Sequence, residues 1–181
     1  MLEPVTFIVG LVAVGAGTWY AWRASTRKQR ALGGPALTIS TAPYAFGEAV
    51  PCRVASSVRS PIRVERVRFQ LSCFEVARWT ELERRGGKTR RVQHSQTVEV
   101  WGAEAITPIG RELRAGERFE AEADLKLPED AGGPTFNAPH NQVGWQVSFT
   151  VDDGEGTIAV GAAPLILEAR RRFTSPPGVR R

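Results

Sequence analysis

Groups suited to catalysis are scarce in this chain: its 181 residues include two cysteines and two histidines. Cys52 and Cys73 cannot build a disulfide framework, and their separation matches no zinc-ligand spacing, which excludes a redox or metal scaffold. No Gly-rich phosphate loop precedes a helical pattern, and neither Gly-x-Ser-x-Gly nor His-Glu-x-x-His occurs. Asp152-Asp153-Gly154-Glu155 holds carboxylates enough for a hard cation, but calcium takes about six to eight oxygens and this spacing matches no EF-hand. A hairpin turn explains it better. Both cysteines fall on the apolar phase of strand-like runs, where a thiol is buried and inert. His94 falls on a polar phase, and His140 sits in a loop before Val143, where it can donate a hydrogen bond that fixes the loop. These absences predict a chain that is not an enzyme and carries no cofactor and no metal. The enzyme alternative requires a polar pocket in which His94 or His140 meets a carboxylate or a cysteine.

What is present describes a folded domain with flanks. Apolar residues make up 42% and charged residues 24%, which excludes a disordered or collagen-like chain. The length suits one domain plus an extra segment. The net charge of +5 is unevenly placed: residues 1–36 carry +3, residues 170–181 carry +5, and residues 37–169 carry −3. The folded part is therefore mildly acidic and offers no aromatic-plus-basic motif, so no nucleic-acid partner is expected. Within it, 59–91 is basic and 92–169 acidic.

From Val5 to Trp22 the chain carries no charge, and at about 1.5 Å per residue this run nearly matches a hydrocarbon core of about 30 Å. Val5, Phe7, Ile8, Leu11 and Val14 supply apolar surface for the lipid bilayer, and Trp19 and Trp22 stand at one end, where aromatic rings prefer the interface. Arg23, Arg27, Lys28 and Arg30 follow, placed to meet anionic head groups. All the flanking positive charge lies after the run, while Met1-Leu2-Glu3-Pro4 is acidic. The positive-inside rule then predicts a single-pass protein of the cell (inner) membrane, N-terminus outside and the rest cytoplasmic. Gly10, Ala13, Gly17 and Ala21 form a small-residue stripe through which two such helices can approach as a homodimer.

After Arg30 no stretch sustains an i, i+3, i+4, i+7 apolar pattern, whereas alternation is frequent. Val50, Cys52 and Val54 alternate with other residues, as do Val67, Phe69, Leu71 and Cys73. Phe119, Ala121, Ala123, Leu125 and Leu127 keep the cleanest two-residue period, and Val143 to Val151 repeats it. Ile158, Val160, Leu165 and Leu167 make a last strand or pair, which Gly161 and Pro164 confine to an edge or bulge. Arg85-Gly86-Gly87-Lys88, Ala115-Gly116-Glu117 and the Asp152–Gly156 stretch supply turns. The fold class expected is all-β: an antiparallel, immunoglobulin-like β-sandwich preceded by a single transmembrane helix. Its parts are a transmembrane helix and basic juxtamembrane segment (1–30), a linker (31–36), the sandwich (37–169) and a basic disordered tail (170–181).

The order of features resembles one lobe of the arrestin fold. The residues that carry the resemblance are Tyr44-Ala45-Phe46-Gly47-Glu48, the run Arg66 to Glu75, Leu113-Arg114-Ala115-Gly116-Glu117, and Leu127-Pro128 leading to Gly133-Pro134-Thr135-Phe136. The last is the most specific: a strand ending in Leu-Pro, a Pro-Thr-Phe loop, and a strand with Trp145 in its middle. It is similar to the sandwiches of arrestins, retromer-type subunits and bacterial sporulation-control proteins, and covers residues 37–168. The resemblance implies an arrestin-like adaptor or scaffold rather than an enzyme. Only one sandwich fits this length, so neither the cleft between arrestin lobes nor the polar core transfers.

The function expected is a membrane-tethered, non-catalytic protein-binding adaptor. The alternatives are a structural accessory subunit of a larger membrane complex and an extracytoplasmic domain of opposite topology. The candidate partner-binding residues are Trp79 and Phe136, as aromatic anchors, and Arg84, Arg85, Lys88, Arg90 and Arg91, which surround a Gly-Gly turn at the tip of a long hairpin. Trp101 is a further aromatic candidate.

Overall fold

Period-two alternation makes strands because it puts every second side chain on one face of a pleated chain. A computed structural model describes residues 27–130 and 132–168, and eight strands run through them. They are β1 (Ala36–Thr38), β2 (Ala49–Ser57), β3 (Ile62–Arg85), β4 (Lys88–Leu113), β5 (Arg118–Lys126), β6 (Phe136–Asn137), β7 (Asn141–Asp152) and β8 (Thr157–Leu165). All of the pairings between them are antiparallel, in one sheet of order β1-β2-β5 and a second of order β4-β3-β7-β6, with β8 also on β7.

The expected fold class is corrected in one part. The described residues are all-β, in two antiparallel sheets consistent with a sandwich, but no helix among them is long and apolar enough to cross a membrane. The helical residues described, 27–32, include Arg27, Lys28 and Arg30 and stop after Leu32. The run 5–22 lies outside the described residues. So do the anchor and interface positions Val5, Phe7, Ile8, Leu11, Val14, Trp19 and Trp22, the stripe Gly10, Ala13, Gly17 and Ala21, Arg23, and the tail 170–181.

The core lies between the inner faces of the two sheets. Val50, Cys52 and Val54 of β2 and Phe119, Ala121 and Leu125 of β5 face Val67, Phe69, Leu71 and Cys73 of β3 and Trp145, Val147 and Phe149 of β7. The sandwich is closed at both sides. Thr107 of β4 donates its hydroxyl to the Glu122 carbonyl of β5 at 2.8 Å. Opposite, Tyr44 and Leu167 form a parallel bridge, with the Tyr44 amide donating to Ile166 O at 2.9 Å. Among the described strands β8 pairs with β7 alone, and its Gly161 leaves room for the Phe149 ring, which a Cβ there would meet at 2.5 Å.

The segment read as a linker contributes to this core. Leu32 is fully buried. The helical turn before it ends in a Schellman motif, in which Gly34 N donates to Gln29 O at 3.2 Å and Gly33 N to Arg30 O at 3.1 Å. The Arg59 amide donates to Ala31 O at 2.8 Å and the Ser56 hydroxyl to Leu32 O at 2.6 Å, so the turn is tied to the end of β2 and the residues after it.

Trp145, in mid-β7, is 2% exposed. Its indole N–H donates to Gly133 O at 2.6 Å, which explains why the loop Gly133-Pro134-Thr135-Phe136 matters to a distant strand. The same loop returns to the last bridge, with Thr135 N donating to Leu167 O at 3.0 Å.

Candidate functional site

β3 and β4 outrun the sheet that contains them. β7 pairs with β3 as far as Ala77↔Asn141, and beyond that point, among the described strands, Arg78–Arg85 pairs with β4 alone, from Arg78↔Ser95 to Arg85↔Lys88. At about 3.4 Å per residue this two-stranded ribbon reaches roughly 27 Å past the body. Its turn is Gly86-Gly87 with φ of 61° and 79°. Positive φ at both central residues is the type I′ geometry, whose twist suits antiparallel strands.

The ribbon gathers the predicted partner-binding residues Trp79, Arg84, Arg85, Lys88, Arg90 and Arg91 on one projection; all are exposed, Trp79 by 45%. Leu82, 65% exposed, belongs with them and was missed in the sequence. It sits alone among charged residues, so only the strand pairing reveals its place. Phe136 is brought elsewhere: it is exposed on β6, on the far side of β7 from β3. Trp101 is partly buried, with its ring 5.6 Å from that of Trp145.

The ribbon faces differ in chemistry. Pairing puts Trp79 with His94, Glu81 with Val92, Glu83 with Arg90 and Arg85 with Lys88 on one face. The other carries Arg78 with Ser95, Thr80 with Gln93, Leu82 with Arg91 and Arg84 with Thr89. Both acids of the ribbon therefore lie on the first face, and the second has Arg78, Arg84 and Arg91 with no carboxylate.

At the base, where β7 stops and β3 continues, a notch of about 370 Å³ is lined by Arg78, Trp79, Thr80, His94, Ser95 and His140, among others. The Arg78 amide donates to His140 O at 2.7 Å and its guanidinium to Gln142 Oε1 at 3.0 Å. His140 thus holds its loop through its backbone carbonyl, where the sequence suggested the ring. His94 stacks on Trp79, with ring centroids 5.5 Å apart at 19°, and its buried Nε2 lies 3.5 Å from Glu81 Oε2 without a hydrogen bond. Both histidines line the notch, whereas Glu81 beside His94 does not, and the thiols are elsewhere. Cys52 and Cys73 are buried; burial, followed by the Asp124 charge, pushes the Cys52 thiol up to about 11. Burial also raises Cys73, against a hydrogen bond from the Gly133 backbone. Thr80 and Ser95 project to the face opposite His94, because neighbours along a strand alternate.

The bases expected to meet head groups divide. Arg27 and Arg30 are exposed, while Lys28 reaches the β7–β8 turn and pairs with Asp153 at 2.5 Å and Glu155 at 3.1 Å. Asp153 Oδ1 also accepts from the Glu155 and Gly156 amides, each at 3.0 Å, so the acidic turn read from the sequence is organised by its own backbone and by Lys28. Burial raises the Asp153 carboxyl, but the Lys28 ammonium and the two amides outweigh it and hold the group below its ordinary value. Asp153, then Glu155, raise Lys28 above its ordinary value.

A depressed carboxyl stabilises the fold above its unfolded pKa and stops doing so as pH falls through the folded one; a raised ammonium stabilises below its unfolded pKa until pH climbs through the folded one. Lys28→Met is therefore expected to lower the unfolding free energy near neutral pH by about 0.2–1 kcal/mol, since the pair is partly screened by solvent. In urea titrations the difference from the parent should shrink below pH 3.8 and above pH 10.5, the ordinary values of the two groups.

No family model matches the chain, and no curated relative matches it. Among solved structures, the chain is similar to Spo0M, the sporulation control protein from Bacillus subtilis, with 17% identity and a TM-score of 0.45. The likeness covers 75% of this chain and 49% of that one, so the chain spans about half the length of that protein.

Proposed function

We propose that this chain is a non-catalytic binding module: a single arrestin-like sandwich that holds the β3–β4 ribbon out as its contact surface and serves as an adaptor or scaffold. The observation that carries the reading is the ribbon itself. An isolated two-stranded hairpin is marginal in water, yet eight residue pairs from Arg78↔Ser95 to Arg85↔Lys88 extend beyond the body with Trp79 and Leu82 exposed. Tryptophan and arginine are the residues that most often dominate protein interfaces. Both thiols are held protonated at neutral pH by burial, and the hydroxyls nearest His94 face away from it, which favours contact over chemistry.

Deleting residues 80–83 together with 90–93 shortens the ribbon while joining Trp79↔His94 to Arg84↔Thr89 and keeping the Gly86-Gly87 turn. The shortened chain is expected to match the parent's melting temperature within about 2 °C, because the deleted residues lie outside the core. With a photo-crosslinking residue at position 82, the parent in its own cells should yield a defined adduct, and one at Glu129 should not. Crosslinks of equal yield from both positions, or an adduct that survives shortening when the crosslinker is at Trp79, would remove the ribbon as the contact surface.

A further inference from the structure

The backbone of the ribbon is unfinished along its β3 side. Arg78 N–H points toward the β7 side, where it meets His140 O. In an antiparallel ladder N–H and C=O alternate in direction along the strand, so Thr80, Leu82 and Arg84 point their amides and carbonyls to that same side. Among the described residues no strand pairs there, since β7 begins only at Asn141. The free edge thus runs in line with β7, from the notch at His140 to the tip.

The geometry points to this edge as a site of strand addition for an acidic, extended segment of a partner protein, an inference that rests on the ribbon being the contact surface. An edge of alternating donors and acceptors is completed by another peptide. A phosphodiester or lipid phosphate only accepts, and leaves the carbonyls of Thr80, Leu82 and Arg84 unmatched. A strand hydrogen-bonded to those residues puts every second side chain on the face of Arg78, Arg84 and Arg91, which holds no carboxylate. Charge complementarity selects acidic side chains at those alternate positions. It also excludes two nearer occupants. A second copy's ribbon carries the same Arg78, Arg84, Arg85, Lys88, Arg90 and Arg91 against only Glu81 and Glu83, and residues 170–181 carry five arginines and no acid.

The test uses the full chain and a fluorescein-labelled ten-residue peptide alternating Glu and Val, with the Lys-Val peptide, a 20-base-pair DNA duplex and phosphatidylserine vesicles as comparisons. The Glu-Val peptide is expected to bind with an affinity that falls at least tenfold between 50 and 500 mM salt, and at least tenfold in the Arg84→Glu/Arg91→Glu variant, whose changes are confined to exposed side chains. Hydrogen exchange at the Thr80, Leu82 and Arg84 amides should slow at least tenfold in the complex. Thr80→Pro removes one free donor without touching a β3–β4 bond, and should abolish that protection. Equal binding of the Lys-Val peptide, or binding without amide protection, overturns the inference. So does charge-reversal-sensitive binding of DNA or vesicles when the Glu-Val peptide fails to bind. If crosslinking from position 82 succeeds while the peptide fails, only strand addition falls; if crosslinking from the ribbon fails as well, the contact surface falls with it.

Discussion

Trp145→Ala is expected to lower the unfolding free energy by about 3–5 kcal/mol, a large share of the roughly 5–15 kcal/mol that holds a domain together. The indole is 2% exposed and packs edge-on against Phe46 at 6.3 Å and tilted against Trp101 at 5.6 Å, so both rings lose contact when it goes. Alanine also leaves Gly133 O without the donor that meets it at 2.6 Å. Trp145→Phe keeps an aromatic ring in the site while losing the N–H and part of the indole surface, for about 1–3 kcal/mol. Urea unfolding followed by far-UV circular dichroism measures both. If the 132–136 loop is held by this bond, amide exchange at Thr135 should quicken in Trp145→Phe even where global stability changes little. An alanine variant within 1 kcal/mol of the parent would show that the indole is not a keystone of the core.

The second large effect is expected where the chain enters the domain. Gly33 adopts φ +87°, and a Cβ there would stand 1.9 Å from Ser57 O, a backbone atom that cannot swing away. The left-handed conformation costs a non-glycine residue roughly 1–2 kcal/mol, and forcing the clash open costs about 1–3 more. Gly33→Ala should therefore destabilise by about 2–5 kcal/mol. The neighbour provides the control: Gly34 has φ +71° but no atom within 4 Å of its Cβ position, so Gly34→Ala should cost only the conformational part. Thermal melts of the two variants read the steric contribution as their difference. Equal melts would mean that the 27–32 turn lifts off without cost, and that Leu32 is not anchored as its burial implies.

The strand content was legible because β2, β3, β5 and β7 alternate so cleanly: every second residue of Phe119 to Leu125 turns to the core or its margin. The Gly86-Gly87 turn was equally legible, since only positive φ at two successive residues calls for that pair. Leu32-Gly33-Gly34-Pro35, expected as a linker, also caps the helical residues before it. Gly just after a helical turn with Pro close behind is a C-terminal cap as much as a linker, and one buried leucine is too little periodicity to show that the turn docks. The ribbon's length was hidden for another reason. Beyond Ala77 the pattern Arg78 to Arg85 no longer alternates by polarity, because both faces are wet, and only hydrogen bonding to β4 carries the strand onward. The meeting of His94 with Glu81 and of Arg78 with His140 depends on that register, and no local signal announces it. The fold class was overstated at its front, since no helix among the described residues is long and apolar enough to cross a membrane.

Because the Gly86-Gly87 turn has exactly two residues, the reach of the hairpin is quantised. Adding or removing one cross-strand pair moves the tip by about 3.4 Å and also turns it over, presenting the opposite side to whatever it touches. Only even steps, about 7 Å each, alter distance while conserving orientation. The projection is in this sense a ruler with a parity rule, and natural variants of its length that keep one surface pointed at a partner should differ by even numbers of pairs.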